Sequence, residues 1–449
     1  MRILLISNVY PPNFIGGYEL AALEVAEFLN SKGFDVQVLT SDSLVGNNSN
    51  FNQILVTRSL QCSSLKPRTF TPNPEAEYIN LWNIRQIASK ISEFSPDLIM
   101  LWNLQSLGAI GILKFVEALN IPTYLYLMDN IFLGCELGSR LYEDIQNNMG
   151  SITIPSNVRV VSMSERLIKE IEQETKISVS NFLKIPGWVR TSVNPTESSL
   201  GRTDSDKFSF IFSSRVAPHK GVGIILDAVT DLTAKGIKDF SVNIYGLGEI
   251  GPTMDMVEAR NLQDYIIYKG TYEKSLALDI LSNHDCLLFP TWKREAFGFV
   301  AIEAASVGCI PILTEGIGAG EWLKNGIDCL KIERDSKSLS DAMLYMMSIS
   351  NDQLQFMKRN GIELGTECFN FEHWMRVLIE DIHEFLSKRD FSKKPNPFQV
   401  ERAFFYLFSK NKNTFNNSSL TESYRILMNI YSRLPGNLKK YIKRLLSRP

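Results

Sequence analysis

The sequence predicts an α/β protein built on two doubly wound parallel sheets, and three observations lead to this fold class. Short apolar runs of strand length alternate with segments of helical periodicity, as parallel strands joined by crossover helices require. The alternation runs twice along the chain, first from Arg2 to Ser162 and again from Phe208 to about Asn351. Between the two series, residues 190–206 are rich in Ser and Thr, a composition typical of an interdomain linker.

The first series opens with a strand, a loop and an amphipathic helix. The pattern predicts a strand over Arg2–Ser7 and a helix over about Tyr18–Asn30. The loop between them carries Gly16 and Gly17 at the place where a dinucleotide-binding fold has its glycine-rich turn. Paired glycines let a phosphate or a sugar approach the backbone closely, and a plain flexible turn is the equal alternative. Further strands are predicted over Phe34–Thr40, Asp97–Trp102, Ile121–Met128 and Val158–Ser162.

Two carboxylates in the second series carry the clearest chemistry. Glu295 lies in the loop after an apolar strand over Cys286–Phe289, and Glu303 lies inside a helix that begins near Gly298. Gly308 follows this helix in the position of a C-terminal cap. The start of the helix suits a phosphate, because its first N–H groups are unpaired and its dipole end is positive. The carboxylates suit the hydroxyl groups of a sugar or a ribose. A nucleotide sugar carries both phosphates and such hydroxyl groups.

The next strand completes a βαβ unit around these acids. It is predicted over Cys309–Leu313, and Pro311 within it indicates a strand end or an edge strand. The polar groups then lie at the carboxyl end of the first strand, where open parallel sheets bind ligands. Two isolated glutamates would by themselves be ordinary solvated side chains. The glycines and strands around them favour a binding site.

These residues resemble the retaining glycosyltransferases of family 4, which have the GT-B fold. The hallmark of that family is a Glu, seven residues and a second Glu, with Phe-Gly after the first acid, as in Glu295, Phe297, Gly298 and Glu303. The resemblance covers about residues 1–388. Its other motifs are Ser214-Arg215, Lys220-Gly221, Tyr245-Gly246-Leu247-Gly248, Tyr268-Lys269-Gly270 and, near the N-terminus, Gly16-Gly17 with Glu19.

The resemblance implies a role for each of these residues. Arg215 and Lys220 would clamp the donor diphosphate, as a metal does in other enzymes, so neither a metal nor a cofactor is expected. Glu295 would contact the transferred sugar and Glu303 would hold the ribose hydroxyls. In this family the leaving phosphate is thought to accept the proton of the acceptor, which retains the stereochemistry without a protein base. Further donor-binding positions are Gly16, Gly17, Gly246, Lys269 and the backbone of Phe297, Gly298, Phe299 and Val300.

The first series departs from the family pattern at one position. Many members carry His-Asp after the strand that corresponds to Ile121–Met128, whereas this chain has Met128-Asp129. Asp129 is the candidate for orienting sugar or acceptor hydroxyls, and Asn103 and Asn130 are candidates for additional hydrogen bonds. The missing histidine leaves a non-catalytic homologue open, one that binds a nucleotide sugar or a protein partner. A sugar-nucleotide epimerase or a sugar phosphorylase on the same fold is a weaker alternative.

Composition bounds the partners and the compartment. The net charge of -2 argues against a nucleic-acid-binding protein. Six cysteines without a C-x-x-C pair indicate free thiols in a reducing compartment. No apolar run reaches the roughly 20 residues of a membrane span, and the start lacks the basic region of a signal peptide. We therefore expect a cytoplasmic protein.

The C-terminal segment differs from the rest of the chain. Residues 393–449 contain twelve Lys or Arg and two acids, near +10, so the remainder is near -12. A basic amphipathic helix is predicted here, and its apolar side carries Leu438, Tyr441, Ile442, Leu445 and Leu446. Such a helix can lie on the anionic inner face of a membrane, or it can dock on the acidic body of the protein. The sequence favours neither alternative.

Together these features predict the organisation and the activity. We expect an acceptor-side domain over residues 1–197, a donor-binding domain over 198–368 that faces it across a cleft, a helix crossing back over 369–390 and a basic extension over 391–449. The expected activity is the metal-independent, retaining transfer of a hexose-like sugar from a nucleotide-diphosphate sugar. The acceptor would be a hydroxyl of a glycan or of a lipid-linked molecule in surface polysaccharide biosynthesis.

Overall fold

The structure is a computed structural model, and the residues it describes form two compact units. Unit 1 contains described residues of 1–162 and 168–183 and those from Ile379 onward, and unit 2 contains 163–167 and those of 184–378. Each unit has one large sheet, named here sheet 1 and sheet 2. The described residues are 1–14, 16–41, 49–62, 65–66, 69–70, 78–132, 143, 152–180, 182–190, 207–388 and 394–410.

Sheet 1 has eight strands in the order β10-β9-β8-β7-β1-β2-β4-β3. Its central strand β1 pairs in parallel with β2 on one side and with β7 on the other, and β3 is antiparallel to β4. A separate short pair consists of β5 and β6. The strands are β1 (Arg2–Ile6), β2 (Asp35–Ser41), β3 (Ser49–Phe51), β4 (Ile54–Leu60), β5 (Leu65–Lys66), β6 (Thr69–Phe70), β7 (Leu98–Leu101), β8 (Thr123–Leu127), β9 (Val158–Ser162) and β10 (Leu183–Lys184).

Sheet 2 has six parallel strands in the order β13-β12-β11-β14-β15-β16. The central strand β11 has the sequence FSFIFS, and Phe208, Phe210 and Phe212 enter one apolar core with residues of β12, β14 and β15. Such apolar strands suit a parallel sheet, which is covered by helices on both faces. The strands are β11 (Phe208–Ser213), β12 (Phe240–Tyr245), β13 (Ile266–Gly270), β14 (Cys286–Phe289), β15 (Ile310–Thr314) and β16 (Leu330–Ile332).

Helices connect most of these strands, as the alternating pattern predicts. The fold class expected from the sequence, two sheets of parallel strands with crossover helices, is confirmed. The helices are α1 (Gly17–Ser31), α2 (Leu81–Phe94), α3 (Ala109–Leu119), α4 (Glu165–Thr175), α5 (Val222–Ala234), α6 (Ile250–Ala259), α7 (Ala277–Ser282), α8 (Phe299–Ser306), α9 (Ser336–Ser348), α10 (Asn351–Glu367), α11 (Phe371–Ser387) and α12 (Pro397–Lys410).

The structure decides between the two interpretations of Pro311. The proline lies near the start of its strand and not in an edge strand, because β15 lies between β14 and β16. The proline is the second residue of β15, opposite Leu287 of β14, and pairing with β16 begins only at Ile312. The missing N–H of a proline is tolerated near the start of a strand, before the second neighbour joins the ladder. Gly308 follows the cap residue of α8 in the left-handed conformation, as expected.

Within unit 1, the described residues from Ile379 onward pack through polar side chains and an apolar face. In α11, Asp381 accepts hydrogen bonds from Tyr124 (2.6 Å) and from Arg159 (2.7 and 3.1 Å). Helix α12 packs against α2 and α3. Among the described residues, no helix is long and apolar enough to cross a membrane. The predicted basic helix around Leu438, most of the predicted linker and Cys135 lie outside the described residues, while the other five cysteines are free thiols.

Candidate functional site

The candidate site lies at the carboxyl edge of sheet 2, where loops after neighbouring strands come together. The loop after β11 contains Arg215 and ends in the 3-10 turn Pro218–Lys220. The loop after β14 contains Thr291 and Glu295, and leads into α8. Parallel strands place all their carboxyl ends at one edge of a sheet, which is why these separate segments of the sequence meet.

Lys220 and Glu295 form an ion pair across two of these loops. The Lys220 ammonium donates to Glu295 Oε2, and the two side chains are 17% and 11% exposed. The buried hydroxyl of Thr291 also donates to Glu295 Oε2, at 3.2 Å. The sequence predicted that both charged residues belong to one site, and the structure brings them into contact. It did not predict Thr291, which fixes the carboxylate from within the same loop.

Arg215 is half-buried at the same edge, and its guanidinium lacks a carboxylate partner among the residues that the structure describes. Its charge and that of Lys220 both act on His219, which places the three side chains near one another. A cation without a counter-ion, next to one that shares a carboxylate, makes this edge attractive to an anion. The arrangement suits the phosphates of a ligand.

His219 is partly buried and packs against an aromatic side chain. Its ring lies 5.0 Å from that of Trp292, and Trp292 N–H donates to the His219 carbonyl at 2.9 Å. Partial burial lowers the pKa of His219, and the positive charges of Lys220 and Arg215 lower it further. The lowered pKa favours the neutral form of this imidazole beside the two cations.

Glu303 has a partner that sequence reasoning missed. Lys274, on the 3-10 turn Lys274–Leu276 after β13, donates to Glu303 Oε1. Next to this pair the hydroxyls of Tyr272 and Ser213 are hydrogen-bonded to each other, and burial raises the pKa of Tyr272. In the sequence, Lys274 is one more lysine in a polar stretch, and its spacing from Glu303 has no periodic signal.

Glycines shape the edge at two positions. Gly298, the cap residue before α8, has φ +95°, and a Cβ there would lie 2.7 Å from the ring of Phe289. Gly246 has φ +140°, and a Cβ would lie 1.9 Å from the Ser214 carbonyl oxygen. The Gly246 N–H donates to Gly270 and its carbonyl accepts from Tyr268. Gly246 therefore brings loops together and does not direct its own N–H at a ligand.

The remaining predicted donor-binding residues of unit 2 differ in exposure. Lys269 is exposed on the edge strand β13. Phe297 is fully buried, and its ring packs against Gly187, so only its backbone can serve a ligand. Phe299 and Val300 form the first turn of α8, whose N–H groups have no intrahelical acceptor. The role of this backbone in donor binding stays a prediction.

The carboxyl edge of sheet 1 holds the other three predicted residues. Gly16 is the cap residue before α1 in an extended conformation, and Gly17 is the first residue of the helix. The buried carboxylate of Glu19 accepts from Gly16 N–H at 2.9 Å. This internal carboxylate already compensates the positive end of the α1 dipole, so an anion gains less here than at α8.

The segment after β8 contains the third residue, Asp129. Its Oδ1 accepts from Asn130 N–H at 2.7 Å. The Asn130 side chain accepts from Phe132 N–H at 3.0 Å and donates to Glu174 at 2.8 Å, so this amide is used inside the protein. Met128, which replaces the family histidine, is buried in the core of unit 1. Asn103 accepts from Gln105 N–H and is also a turn residue.

Comparisons with known proteins agree with this geometry. The family model of glycosyl transferases group 1 matches residues 195–363. A phosphatidylinositol N-acetylglucosaminyltransferase GPI3 subunit of Saccharomyces cerevisiae is 24% identical over 225 residues, which cover 49% of this chain and 48% of the yeast protein. The chain spans about half the length of the curated relatives it matches.

Solved structures resemble most of the chain. Sucrose-phosphate synthase of Thermosynechococcus elongatus has a TM-score of 0.67 at 16% identity, covering 86% of this chain and all of that one. A protein of Anabaena in complex with UDP has a TM-score of 0.61 at 17% identity, covering 87% of this chain and all of that one. The chain therefore has the GT-B fold, and its residues 195–363 are similar to the glycosyl transferases group 1.

Proposed function

We propose that this protein is a retaining glycosyltransferase that moves a sugar from a nucleotide-diphosphate sugar to a hydroxyl group. The proposal combines the match of residues 195–363 to the group 1 family model with the chemistry of the carboxyl edge of sheet 2. Glycosyltransferase activity follows from a fold only by analogy, because one fold supports many reactions. The proposal therefore rests on the residues at the carboxyl edge of sheet 2.

The arrangement of Arg215 and Lys220 carries the proposal. A nucleoside diphosphate leaving group gains negative charge as its bond to the sugar breaks. The guanidinium of Arg215 has no carboxylate partner among the described residues, and the ammonium of Lys220 has only the carboxylate of Glu295 as an ionic partner there. Fixed cations aimed at developing charge lower the barrier without reorganisation. In this proposal no metal is needed, because these two side chains supply the positive charge.

Glu295 is the candidate for contact with the transferred sugar. Lys220 and Thr291 both bond to its Oε2, so the carboxylate is held in one orientation before a ligand arrives. Lys220 would then bridge the carboxylate and a donor phosphate and couple their positions. The leaving phosphate would accept the proton of the acceptor hydroxyl on the same face of the sugar, which retains the configuration at the anomeric carbon. Asp129 of unit 1 would orient sugar or acceptor hydroxyls.

The acceptor and the location are finer proposals. The Anabaena structure contains UDP, and the yeast relative is named for phosphatidylinositol as an acceptor. We propose a nucleotide sugar as the donor and a glycan or a lipid-linked molecule of surface polysaccharide biosynthesis as the acceptor. A cytoplasmic enzyme would reach a lipid-linked acceptor at the inner face of the membrane, and the basic residues of 393–449 would favour anionic lipids.

Calorimetric titration with UDP, GDP and ADP, together with Glu295→Gln, tests the proposal. We expect selective micromolar binding of one diphosphate to the wild type. Glu295→Gln keeps this affinity within about threefold and lowers turnover roughly a hundredfold, the scale for removing one electrostatic contact of a transition state. Unchanged turnover would remove Glu295 from the site. A folded wild-type protein that binds none of the three diphosphates contradicts the proposal.

One observation favours a second candidate function, a non-catalytic homologue that binds nucleotide sugars. The position of the family histidine is occupied by Met128, which is buried and offers neither a proton nor a strong hydrogen bond. In that case the wild type binds a nucleotide diphosphate and its sugar, but neither transfers nor hydrolyses the sugar. Single-turnover assays with the nucleotide sugar that binds distinguish the two candidates.

A further inference from the structure

Lys274 is a charged residue of the site that the proposed chemistry leaves without a role. It reaches Glu303 from a surface turn, and its side chain is 48% exposed whereas that of Glu303 is 10% exposed. An ordinary surface ion pair joins two solvated side chains and has little consequence. Here a surface lysine reaches a carboxylate that the fold has buried, and a buried charge depends on its partner. The pair therefore holds the Glu303 carboxylate in one orientation.

The two carboxylate oxygens of Glu303 have different surroundings. Oε1 accepts from Lys274, whereas Oε2 has no hydrogen-bond donor among the residues that the structure describes. This oxygen does not belong to the described side-chain atoms that are buried without a partner, so solvent or a ligand can reach it. The negative charge of Glu303 and the positive charge of Lys274 also act on the nearby Tyr272 hydroxyl. The site thus holds one oxygen in a fixed position and leaves the other for hydroxyl groups.

We propose that Lys274 is a positioning residue, which orients Glu303 so that Oε2 accepts from the ribose hydroxyls of the donor nucleotide. Lys274 would thereby set the preference for ribonucleotides over 2′-deoxyribonucleotides. The inference rests on the proposed function, because it requires a nucleotide at this edge. A glutamate that is ordered before binding loses less side-chain entropy when the ligand arrives. A deoxyribose without its 2′-hydroxyl leaves Oε2 with one donor fewer.

The test compares UDP, GDP and ADP with their 2′-deoxy forms by calorimetric titration. For the diphosphate that binds, we expect the wild type to prefer the ribose form roughly tenfold to a hundredfold, the range of one hydrogen bond to a charged group. In Lys274→Met the preference falls to about threefold or less, because Glu303 loses its fixed orientation. Lys274→Arg retains most of the preference, because a guanidinium can pair with the same carboxylate.

The control is Lys337→Met, which removes an exposed lysine from its pair with Asp341 in the same unit and leaves the preference unchanged. Lys274→Gln is the second variant should Lys274→Met not fold, and the preference falls in it as well. A folded Lys274→Met or Lys274→Gln that keeps the wild-type preference contradicts the inference while the proposed function stands. A wild type without any preference for the ribose form also contradicts the inference. A wild type that binds no diphosphate contradicts both the inference and the proposed function.

Discussion

The carboxyl edges of the two sheets arise from the same strand-loop-helix connections but differ in chemistry. At sheet 2, Glu295 and Glu303 each pair with a lysine from another loop, and Arg215 lies beside them without a carboxylate partner in the described part of the chain. At sheet 1, Glu19 caps its own helix and Asn130 is bonded within its own unit. One edge keeps positive charge for a ligand, whereas the other satisfies its polar groups internally.

This difference supports the proposed division between donor and acceptor chemistry. A diphosphate would need fixed cations, which Arg215 and Lys220 can supply at the edge of sheet 2. An acceptor hydroxyl would need only neutral or negative hydrogen-bond partners, such as Asp129 at sheet 1. Equivalent connections of one fold thus differ in chemistry because their loop residues differ, and not their strands.

The largest expected effect is a loss of stability when a glycine at the edge of sheet 2 is replaced. Gly246→Ala forces a left-handed residue with a Cβ 1.9 Å from the Ser214 carbonyl, so the two loops must separate. We expect a loss of about 3–5 kcal/mol in unfolding free energy, as for other severe steric changes. The control is Gly236→Ala, which has φ +79° and no atom within 4 Å of the added Cβ. Its loss should be about 1 kcal/mol, measured by thermal or denaturant unfolding. Equal losses in the two variants would show that the close approach of the loops is unimportant.

The second prediction separates the two cations. Arg215→Ala should weaken diphosphate binding by about 1.5–3 kcal/mol with little change in stability, because the guanidinium pairs with no described carboxylate. Lys220→Ala should weaken binding by a similar amount and also cost about 1–3 kcal/mol of stability, since Glu295 loses its partner. Asp129→Asn at sheet 1 should leave the diphosphate affinity within about twofold. Calorimetry on the diphosphate and the matching nucleoside checks all three, and a wild type that binds both equally contradicts the clamp.

The smallest expected effect concerns pH and is confined to unit 2. His284 accepts from Asn243 at one ring nitrogen and donates to the Ile280 carbonyl at the other, and its burial lowers its pKa below the usual 6.5. Asp285 opposes this shift and Lys269 adds to it. The unfolded chain therefore binds a proton more readily, so stability is full above pH 6.5 and falls as the pH drops through the folded-state pKa.

Melting temperatures at pH 7.5 and pH 5.5 measure this effect. The decrease on acidification should be smaller in His284→Gln than in the wild type, because glutamine keeps hydrogen bonding without a titrating ring. His219 contributes in the same direction, since its pKa is also lowered. An identical decrease in the two proteins would mean that His284 is protonated equally in the folded and unfolded states.

The residues of the candidate site show which of its features can be predicted from the sequence. The hallmark spacing of Glu295 and Glu303 located the site, and the structure places both acids at the carboxyl edge of sheet 2 as expected. The partners were not predictable in the same way. Lys274 is 29 positions from Glu303, and Thr291 gave no sign that its hydroxyl bonds to Glu295. Contacts between separate loops have no periodicity, so only the folded chain reveals them.

The sequence by itself determined the two series of parallel strands, the helix starts at glycines and the acids beside them. These are local properties, since apolar runs and glycine positions act through neighbouring residues. Only the tertiary structure decided that Met128 is buried, that Pro311 lies in an internal strand and that each acid of the site is paired with a lysine. Burial and pairing depend on which segments the sheet brings together. Segments that are close in space can be far apart along the chain, so their contacts leave no local pattern in the sequence.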